Sequence, residues 1–315
     1  MSDKFKSLVI LNGGLGNQLF QLSRSLAASD NHVIYLNDTI GFPRKETTDK
    51  ADLFSFHMSF IGGSMPLGEK KGLNRFFNQL FLHFVVSRNT VSKKILTEYL
   101  FRMFHILNSK ELQGKWNNIL GEGAGWNVSQ AKNANLVIFG YFQSWKWPSI
   151  PQVRSLMMKM VPNDVSDLFK QLKENGNSKK ILVVHRRIGD YVKDEGFGIL
   201  PLSYYQRAIK KCLEMESIDE IWLFADTPNV EFPIQEESVV GIPIRKIPQE
   251  LSPVETLELM RYGTSYIIAN SSFSWWGAFL SYTESPLVIA PTKWFKGMVD
   301  PRDICPLNWV RIRSW

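Results

Sequence analysis

The spacing of apolar positions changes twice within the first forty residues. Residues 8–11, Leu-Val-Ile-Leu, form a continuous apolar run of strand length, and Asn12-Gly13-Gly14 ends it at once. From residue 17 the period lengthens. Leu19, Leu22 and Leu26 recur at three- and four-residue steps, the stripe of a helix over 17–28. A second apolar run at 32–36 closes on Asn37-Asp38. The chain therefore begins as strand, glycine loop, helix, strand.

Residues 39–70 carry no period and contain the turn signals GFP, GGS and MPLG. Residues 73–107 read as helical, rich in Phe and Leu, with Arg75, Arg88, Lys93, Lys94 and Arg102 between. A strand at 136–139 runs into an aromatic loop, Gly140-Tyr-Phe-Gln-Ser-Trp-Lys-Trp147. The second half alternates more regularly. Strands are predicted at 180–185, 220–225, 242–247, 265–269 and 287–290, with helices at 203–215 and 273–282. A further helix opens at Ser252-Pro253-Val254-Glu255, where a Ser N-cap, Pro at the first position and Glu at the third make a capping box.

Strands alternating with helices predict an α/β fold whose largely parallel sheets are covered on both faces. The prolines at 148, 151 and 162 mark a boundary within 145–165, giving domains 1–150 and 151–315 that face a cleft. Ligands of open parallel sheets sit beyond the carboxyl ends of the strands. Those ends are where the chemistry is sought.

Composition changes this picture little. The 315 residues are 44% hydrophobic and 21% charged, as in a soluble globular protein. Cys212 and Cys305 cannot form a disulfide framework, and no Cys/His spacing suggests zinc. They fit a reducing compartment. The N-terminal apolar stretch is too short and too soon broken by glycine for a secretory leader, and no run reaches the ~18 apolar residues of a span. The expectation is a cytoplasmic enzyme of bacterial type. A net charge of +7 fits nucleic acid, an anionic membrane or a phosphorylated small molecule as partner, or simply a lysine-rich surface. No nucleic-acid partner is expected, because no binding module or basic cluster occurs.

Four strand ends carry candidate chemistry. The first delivers Asn12-Gly13-Gly14-Leu15-Gly16-Asn17-Gln18. Gly14, Gly16 and Asp38 fit part of a dinucleotide fingerprint, but Leu19 stands at the third glycine position. Asn17 and Gln18 can instead aim amides at a polar ligand, or Asn17 can cap the helix. The strand at 180 delivers His185-Arg186-Arg187-Ile188-Gly189-Asp190-Tyr191, and arginine forks suit phosphates and carboxylates. The strand at 220 ends in Asp226, which reads equally as an acceptor for ribose or a base edge and as a cap. The strand at 265 delivers Asn270, Ser271, Ser272 and Phe273 at a helix start, a donor-rich end that suits a diphosphate. Trp275, Trp276 and Phe279 read as core. No Asp-x-Asp pair occurs for a divalent ion, so cationic side chains and helix amides must neutralise any leaving diphosphate.

These stretches together resemble the bacterial α-1,2-fucosyltransferases of glycosyltransferase family 11. The resemblance lies in GGLGNQLFQ at 13–21, HRRIGDY at 185–191, FADT at 224–227 and NSSFSWWGAFL at 270–280. GYFQSWKW at 140–147, VIAPTKWF at 288–295 and PLNWVRI at 306–312 add to it, so it spans nearly the whole chain. It implies a GT-B-like fold of two Rossmann-like domains facing a cleft. The N-terminal domain, 1–150, would be the acceptor side and the C-terminal domain, 151–315, the nucleotide-sugar donor side. GDP-fucose is the implied donor and a galactose-terminated glycan, lipid-linked forms included, the implied acceptor. Transfer would invert the sugar, create an α-1,2 link and use neither metal nor cofactor. In the family motif His-x-Arg-Arg-x-Asp, His185, Arg187 and Asp190 match, while Ile188 replaces the second arginine. Arg186 fills the free position, and a one-residue shift on extended chain points it to the opposite face.

The implied catalytic residues are Arg187 at the leaving phosphate, with Asp190 and His185 as candidate bases. Asp190 can equally orient Arg187. Donor binding falls to Asn17, Gln18, Arg187, Asp226, Asn270, Ser271, Ser272 and Phe273. Two rivals stand beside this reading: an NAD(P)-dependent oxidoreductase resting on Gly14, Gly16 and Asp38, and a non-catalytic glycan-binding protein of the same fold. The basic, Phe-rich segment 73–107 reads either as a buried helix pair or as a face for peripheral contact with anionic lipid at the inner side of the membrane.

Overall fold

The computed structural model describes residues 5–28, 32–38, 52–65, 76–77, 102–104, 106–108, 112, 114, 116–121, 134–193, 195–228, 230, 241–301 and 303–315. The chain divides into two compact units. One comprises Met1–Met160 with Pro301–Ile304, the other Val161–Asp300 with Cys305–Trp315. The sequence predicts the division at 150/151; the structure keeps the helix Pro151–Met158 with the first unit. Residues 301–304 return to that unit through a backbone bond from Trp145 N–H to Asp303 C=O (2.8 Å) and a Lys146–Asp303 ion pair (2.9 Å).

In the first unit the described elements are β1 (Lys6–Ile10), α1 (Leu15–Ala28), β2 (Val33–Asn37), β3 (Phe56–His57), β4 (Ile61–Ser64), β5 (Trp116–Gly121), β6 (Asn135–Gly140) and α2 (Pro151–Met158). Five strands form one parallel sheet, ordered β4-β2-β1-β6-β5, with Leu8 opposite Tyr35 and Val9 opposite Ile138. Leu8, Val9 and Ile10 are fully buried. A strand covered on both faces needs apolar residues throughout, which is why the sequence shows a run here and not an alternation. β4 corrects the sequence expectation, which takes its Gly-Gly-Ser as a turn. An edge strand needs only its backbone to join the ladder, and its mostly exposed positions carry no apolar pattern. Arg24 of α1 is buried with its guanidinium 4.4 Å from the Trp147 ring centroid, and burial pushes its pKa down to about 10. The aromatic loop after β6 is thereby locked to α1.

The second unit contains β7 (Val161–Pro162), α3 (Asp167–Gly176), β8 (Ile181–Arg186), α4 (Leu202–Met215), β9 (Glu220–Ala225), β10 (Ile244–Lys246), α5 (Pro253–Met260), β11 (Ser265–Ile267), α6 (Ser272–Phe279), β12 (Leu287–Pro291) and β13 (Val310–Ile312). Six of its strands form a second parallel sheet, ordered β10-β9-β8-β11-β12-β13. The capping box forms at the start of α5. Ser252 Oγ accepts from Glu255 N–H (3.3 Å), and Ser252 N–H donates to Glu255 Oε2 (2.9 Å). Glu255 Oε1 also takes the N–H of Ser166 (2.6 Å), which ties the start of α3 to that of α5.

Leu182, Val184, Leu223, Ile267 and Ile289 pack on one side with Tyr204, Tyr205 and Ala208 of α4. α6 is nearly all buried. Trp275 stacks on Phe279 (4.6 Å between centroids) and meets Trp276 edge-on (4.9 Å). The helix approaches α5 closely at Gly277, where a methyl group would lie 2.8 Å from Met260 Cβ and 3.0 Å from its Sδ. Alanine would gain about 1 kcal/mol of helix propensity. Overpacking costs about 1–3 kcal/mol and prevails here, because a Cβ cannot swing away. Gly277→Ala is expected to lower stability by a net of up to about 2 kcal/mol, read as a lower urea midpoint. An unchanged or higher midpoint would contradict the packing.

The segment 73–107 lies almost wholly outside the described residues, and its two readings lie there with it. No described helix is long and apolar enough to cross a membrane.

Candidate active site

The order of the second sheet locates a site. From β8 the sheet grows through β9 to β10; from β11 it grows the other way, through β12 to β13. The chain thus leaves β8 and β11 toward opposite edges, and ligands of such sheets bind at that switch. The residues delivered there are His185, Arg186 and Arg187 from β8, and Asn270 and Ser271 after β11.

Arg187 stands between two carboxylates. Its Nη2 lies 2.7 Å from Asp190 Oδ1 and its Nε 3.1 Å from Asp226 Oδ2. The two differ in exposure: the Asp190 side chain is 66% exposed and that of Asp226 13%. Asp226 Oδ1 also accepts the N–H of Ile188 (2.8 Å), so both its oxygens brace the turn that carries Arg187. Gly189 is required beside it, since a methyl group there would lie 2.5 Å from Asp226 Oδ2. Tyr191, which the sequence argument does not single out, completes the support. Its ring lies 5.5 Å from the Arg187 guanidinium and stacks on Phe197 (4.8 Å), and its hydroxyl donates to the Asn270 carbonyl (2.9 Å). It stands in the quoted HRRIGDY stretch, and its signal is an aromatic directly after the acidic turn.

His185 faces the other way from Arg186. It is 3% exposed, its ring lies 6.0 Å from that of Phe273, and its Nδ1 has no hydrogen-bond partner among the described residues. Burial, helped by the Arg187 charge, pushes its pKa down to about 3. So weak and enclosed a group is poorly suited to take a proton from a substrate hydroxyl. It should instead shape the acid response of the fold. In the unfolded chain a histidine protonates near 6.5. Between that pH and about 3, the unfolded state binds a proton that the native state refuses. The contribution is therefore intact above about 6.5 and declines as pH falls, by up to about 1.4 kcal/mol per pH unit. His185→Asn is expected to give a shallower stability curve between pH 6 and 4 by that amount. Parallel curves for the two proteins would refute it.

Asn270 is fully buried, and its side-chain NH2 donates to the carbonyls of Phe197 (3.2 Å), Gly198 (3.0 Å) and Trp294 (3.0 Å). Its side chain clamps two loops, and its NH2 faces carbonyls and not open space. Ser271 is the N-cap of α6, with its Oγ accepting from Phe273 N–H (3.3 Å). Ser272 and Phe273 form the half-buried first turn of that helix.

In the first unit the glycine loop follows β1, beside the end of β6. Gln18 is buried with both ends engaged: Nε2 donates to the Gly13 carbonyl (2.9 Å) and Oε1 accepts from Leu53 N–H (3.0 Å). It holds the loop and does not present its amide. Gln21 does the same one turn on. Its Oε1 accepts from Asn12 N–H (3.1 Å), and its Nε2 donates to the Asn12 carbonyl and to Asn12 Oδ1. Asn17 is half-buried and accepts from Gln143 Nε2 (2.8 Å). Gln143 follows Phe142, which is buried in the left-handed region at φ 50, a strained placement for a side chain of that size.

Two parallel α/β units, one with arginine, carboxylate and small polar groups at its switch point, make a GT-B-like fold. The crystal structure of fucosyltransferase NodZ from Bradyrhizobium shares this fold with a TM-score of 0.50, at 13% identity over 89% of this chain and 94% of that one. The profile of Glycosyl transferase family 11 matches residues 6–313, and the chain belongs to that family. It is 26% identical to the O-antigen biosynthesis glycosyltransferase WbnK of Escherichia coli, over 91% of this chain and 94% of the relative. It is 24% identical to an alpha-1,2-colitosyltransferase of Escherichia coli, over 96% and 98%. Family membership sets aside the oxidoreductase that Gly14, Gly16 and Asp38 also allowed.

Proposed function

We propose that the protein transfers L-fucose from GDP-fucose to the 2-hydroxyl of a terminal galactose on a bacterial surface glycan, with inversion and without a metal ion. The observation that carries this reading is Arg187, held by Asp190 and Asp226 at the switch point of the second sheet. The second unit is then the donor side and the first the acceptor side. The acceptor oxygen attacks C1 of the sugar, the bond from C1 to the phosphate oxygen breaks, and its electron pair leaves with GDP. Negative charge grows on the departing phosphate, where fixed donors lower the barrier most. Arg187 supplies the cation, and the start of α6 behind Ser271 and Ser272 supplies peptide dipoles. Asp226 acts as a positioning residue. Asp190 is the exposed carboxylate available to accept the acceptor proton, and His185 has a packing role.

The colitosyltransferase relative favours a second reading, in which the same α-1,2 transfer uses colitose, a sugar lacking the 3-hydroxyl of fucose. The test is to incubate the protein, with EDTA present, with lactose and either GDP-fucose or GDP-colitose, and to read the product by NMR. An α-1,2-fucosylated galactoside is the expected result. Preference for GDP-colitose would establish the second reading, and dependence on added magnesium or manganese would overturn metal independence.

A further inference from the structure

The first sheet has a switch of its own. From β1 it grows through β2 to β4, while β6 and then β5 lie on the other side. The loops after β1 and β6 therefore open where sheets of this kind take ligands. Both loops are braced. Gln18 and Gln21 hold the loop after β1. The loop after β6 is held by Arg24, whose guanidinium lies 5.8 Å from the Phe142 ring centroid and 4.4 Å from that of Trp147. Phe142 keeps its φ of 50, and its C=O accepts the N–H of Ser144 (2.8 Å), so Gln143 stands at the tip of a tight turn. Strain of this kind persists where the surroundings fix it, and it aims the next side chain. Gln143 is only 9% exposed, and its Nε2 is engaged with Asn17 Oδ1 (2.8 Å). Its Oε1 accepts from no donor among the described residues, yet it is not one of the enclosed polar atoms. An acceptor oxygen is thus left at the surface of an otherwise buried side chain. The glycines beside it leave room. A methyl group on Gly13 would lie 2.7 Å from Asn17 Nδ2 and 3.4 Å from Tyr141 Cε1, so those two side chains border that glycine. One on Gly14, which is exposed, would meet nothing within 4 Å.

We infer that Gln143 is an acceptor-binding residue: its Oε1 takes a hydroxyl hydrogen of an uncharged hexose seated over Gly14. The inference rests on the reading of the first unit as the acceptor side. The chemistry fits a sugar, because a hydroxyl both donates and accepts, and an amide oxygen asks only for a donor. The bond from Nε2 to Asn17 fixes which end of the Gln143 amide faces outward. Since the loop is already held by Arg24 and by its own turn, little freedom is lost when the sugar binds.

Steady-state transfer from GDP-fucose to lactose tests this on wild type, Gln143→Leu, Gln143→Glu and Gly14→Thr, with thermal melting in parallel. Saturation-transfer NMR with methyl β-galactoside supplies a readout that needs no donor. Gln143→Leu should raise KM for lactose about tenfold, the loss of one hydrogen bond, and leave KM for GDP-fucose within twofold. Gln143→Glu, which keeps an accepting oxygen, should fall between wild type and Gln143→Leu. Gly14 precedes α1, and its C=O accepts from Gln18 N–H (3.2 Å). Threonine caps a helix about as well as glycine, so Gly14→Thr should melt like wild type while raising KM for lactose. If wild type fucosylates lactose and Gln143→Leu keeps KM for lactose within twofold, the subsite is wrong and the acceptor-side reading stands. A rise in KM for GDP-fucose alone would put Gln143 on the donor and overturn the proposal. Both constants rising together with lower melting would make Gln143 a prop of its loop and equally overturn it. Wild type that leaves lactose unmodified, yet loses its NMR contact with the galactoside in Gln143→Leu and Gly14→Thr, would keep the subsite and sink the fucosyl-transfer reading. Absence of both transfer and contact would end both.

Discussion

Arg187→Ala is expected to lower kcat with GDP-fucose by about a hundred- to a thousandfold, the loss typical of removing one fixed donor from a developing oxyanion. KM for the donor should move far less, because Arg187 spends its ground-state interactions on Asp190 and Asp226. The fold should survive. Asp190 is mostly exposed and water replaces its lost partner; Asp226 keeps the Ile188 N–H on its other oxygen. The stability loss should therefore stay near that of one unsatisfied group, about 1–3 kcal/mol. Single-turnover kinetics alongside thermal melting separate the two effects. Near-normal kcat in a folded Arg187→Ala protein would remove the centre of the mechanism.

The unequal exposure of the two carboxylates also orders events around that arginine. A solvated surface ion pair is worth little, about 0–1 kcal/mol, so the bond to Asp190 opens readily for a phosphate. The half-buried bond to Asp226 has less water to replace it, and Asp226 is fixed by backbone as well. The geometry thus keeps Arg187 aimed while freeing one edge of its fork. On the proposed mechanism, releasing Arg187 would leave the Asp190 carboxylate unpaired and able to take a proton.

The sequence made some of this legible and hid the rest for definable reasons. Buried parallel strands announce themselves as apolar runs, so β1, β6, β8, β9 and β12 fall close to where the pattern predicts them. The capping box at Ser252 is local, spanning four residues, and was equally readable. β4 was not: its Ile-Gly-Gly-Ser carries turn chemistry, and only pairing with β2 makes it a strand. Strand order was hidden too, because register is set by long-range packing, and strand order decides that β8 and β11 flank the switch. The amides were the least legible. The contacts of Gln18 and Asn270 could not be read because their partners lie far along the chain, at Leu53 for one and at Phe197, Gly198 and Trp294 for the other. An amide beside a glycine loop looks the same in sequence whether it holds the loop or reaches past it.

Asn270→Asp should be among the most destabilising single substitutions in the second unit, by about 3–5 kcal/mol at neutral pH, the range for leaving a buried charge uncompensated. The side-chain NH2 of Asn270 meets three carbonyl oxygens and is closed off from water. A carboxylate would set a fourth oxygen against those three, so the native state must hold the new aspartate protonated, with one donor where the amide had two. Its native pKa would lie above the unfolded value of about 3.9. Above that value the unfolded chain releases a proton that the native state keeps, so the penalty grows as pH rises, by up to about 1.4 kcal/mol per unit, and shrinks toward acid. Asn270→Ala loses the same three bonds without adding a charge, so its penalty should be smaller at neutral pH and independent of pH. Urea unfolding of both variants at pH 5 and pH 7.5 distinguishes the causes. If Asn270→Asp costs less than about 1 kcal/mol, or is as harmful at pH 5 as at pH 7.5, Asn270 does not clamp the loops through its amide.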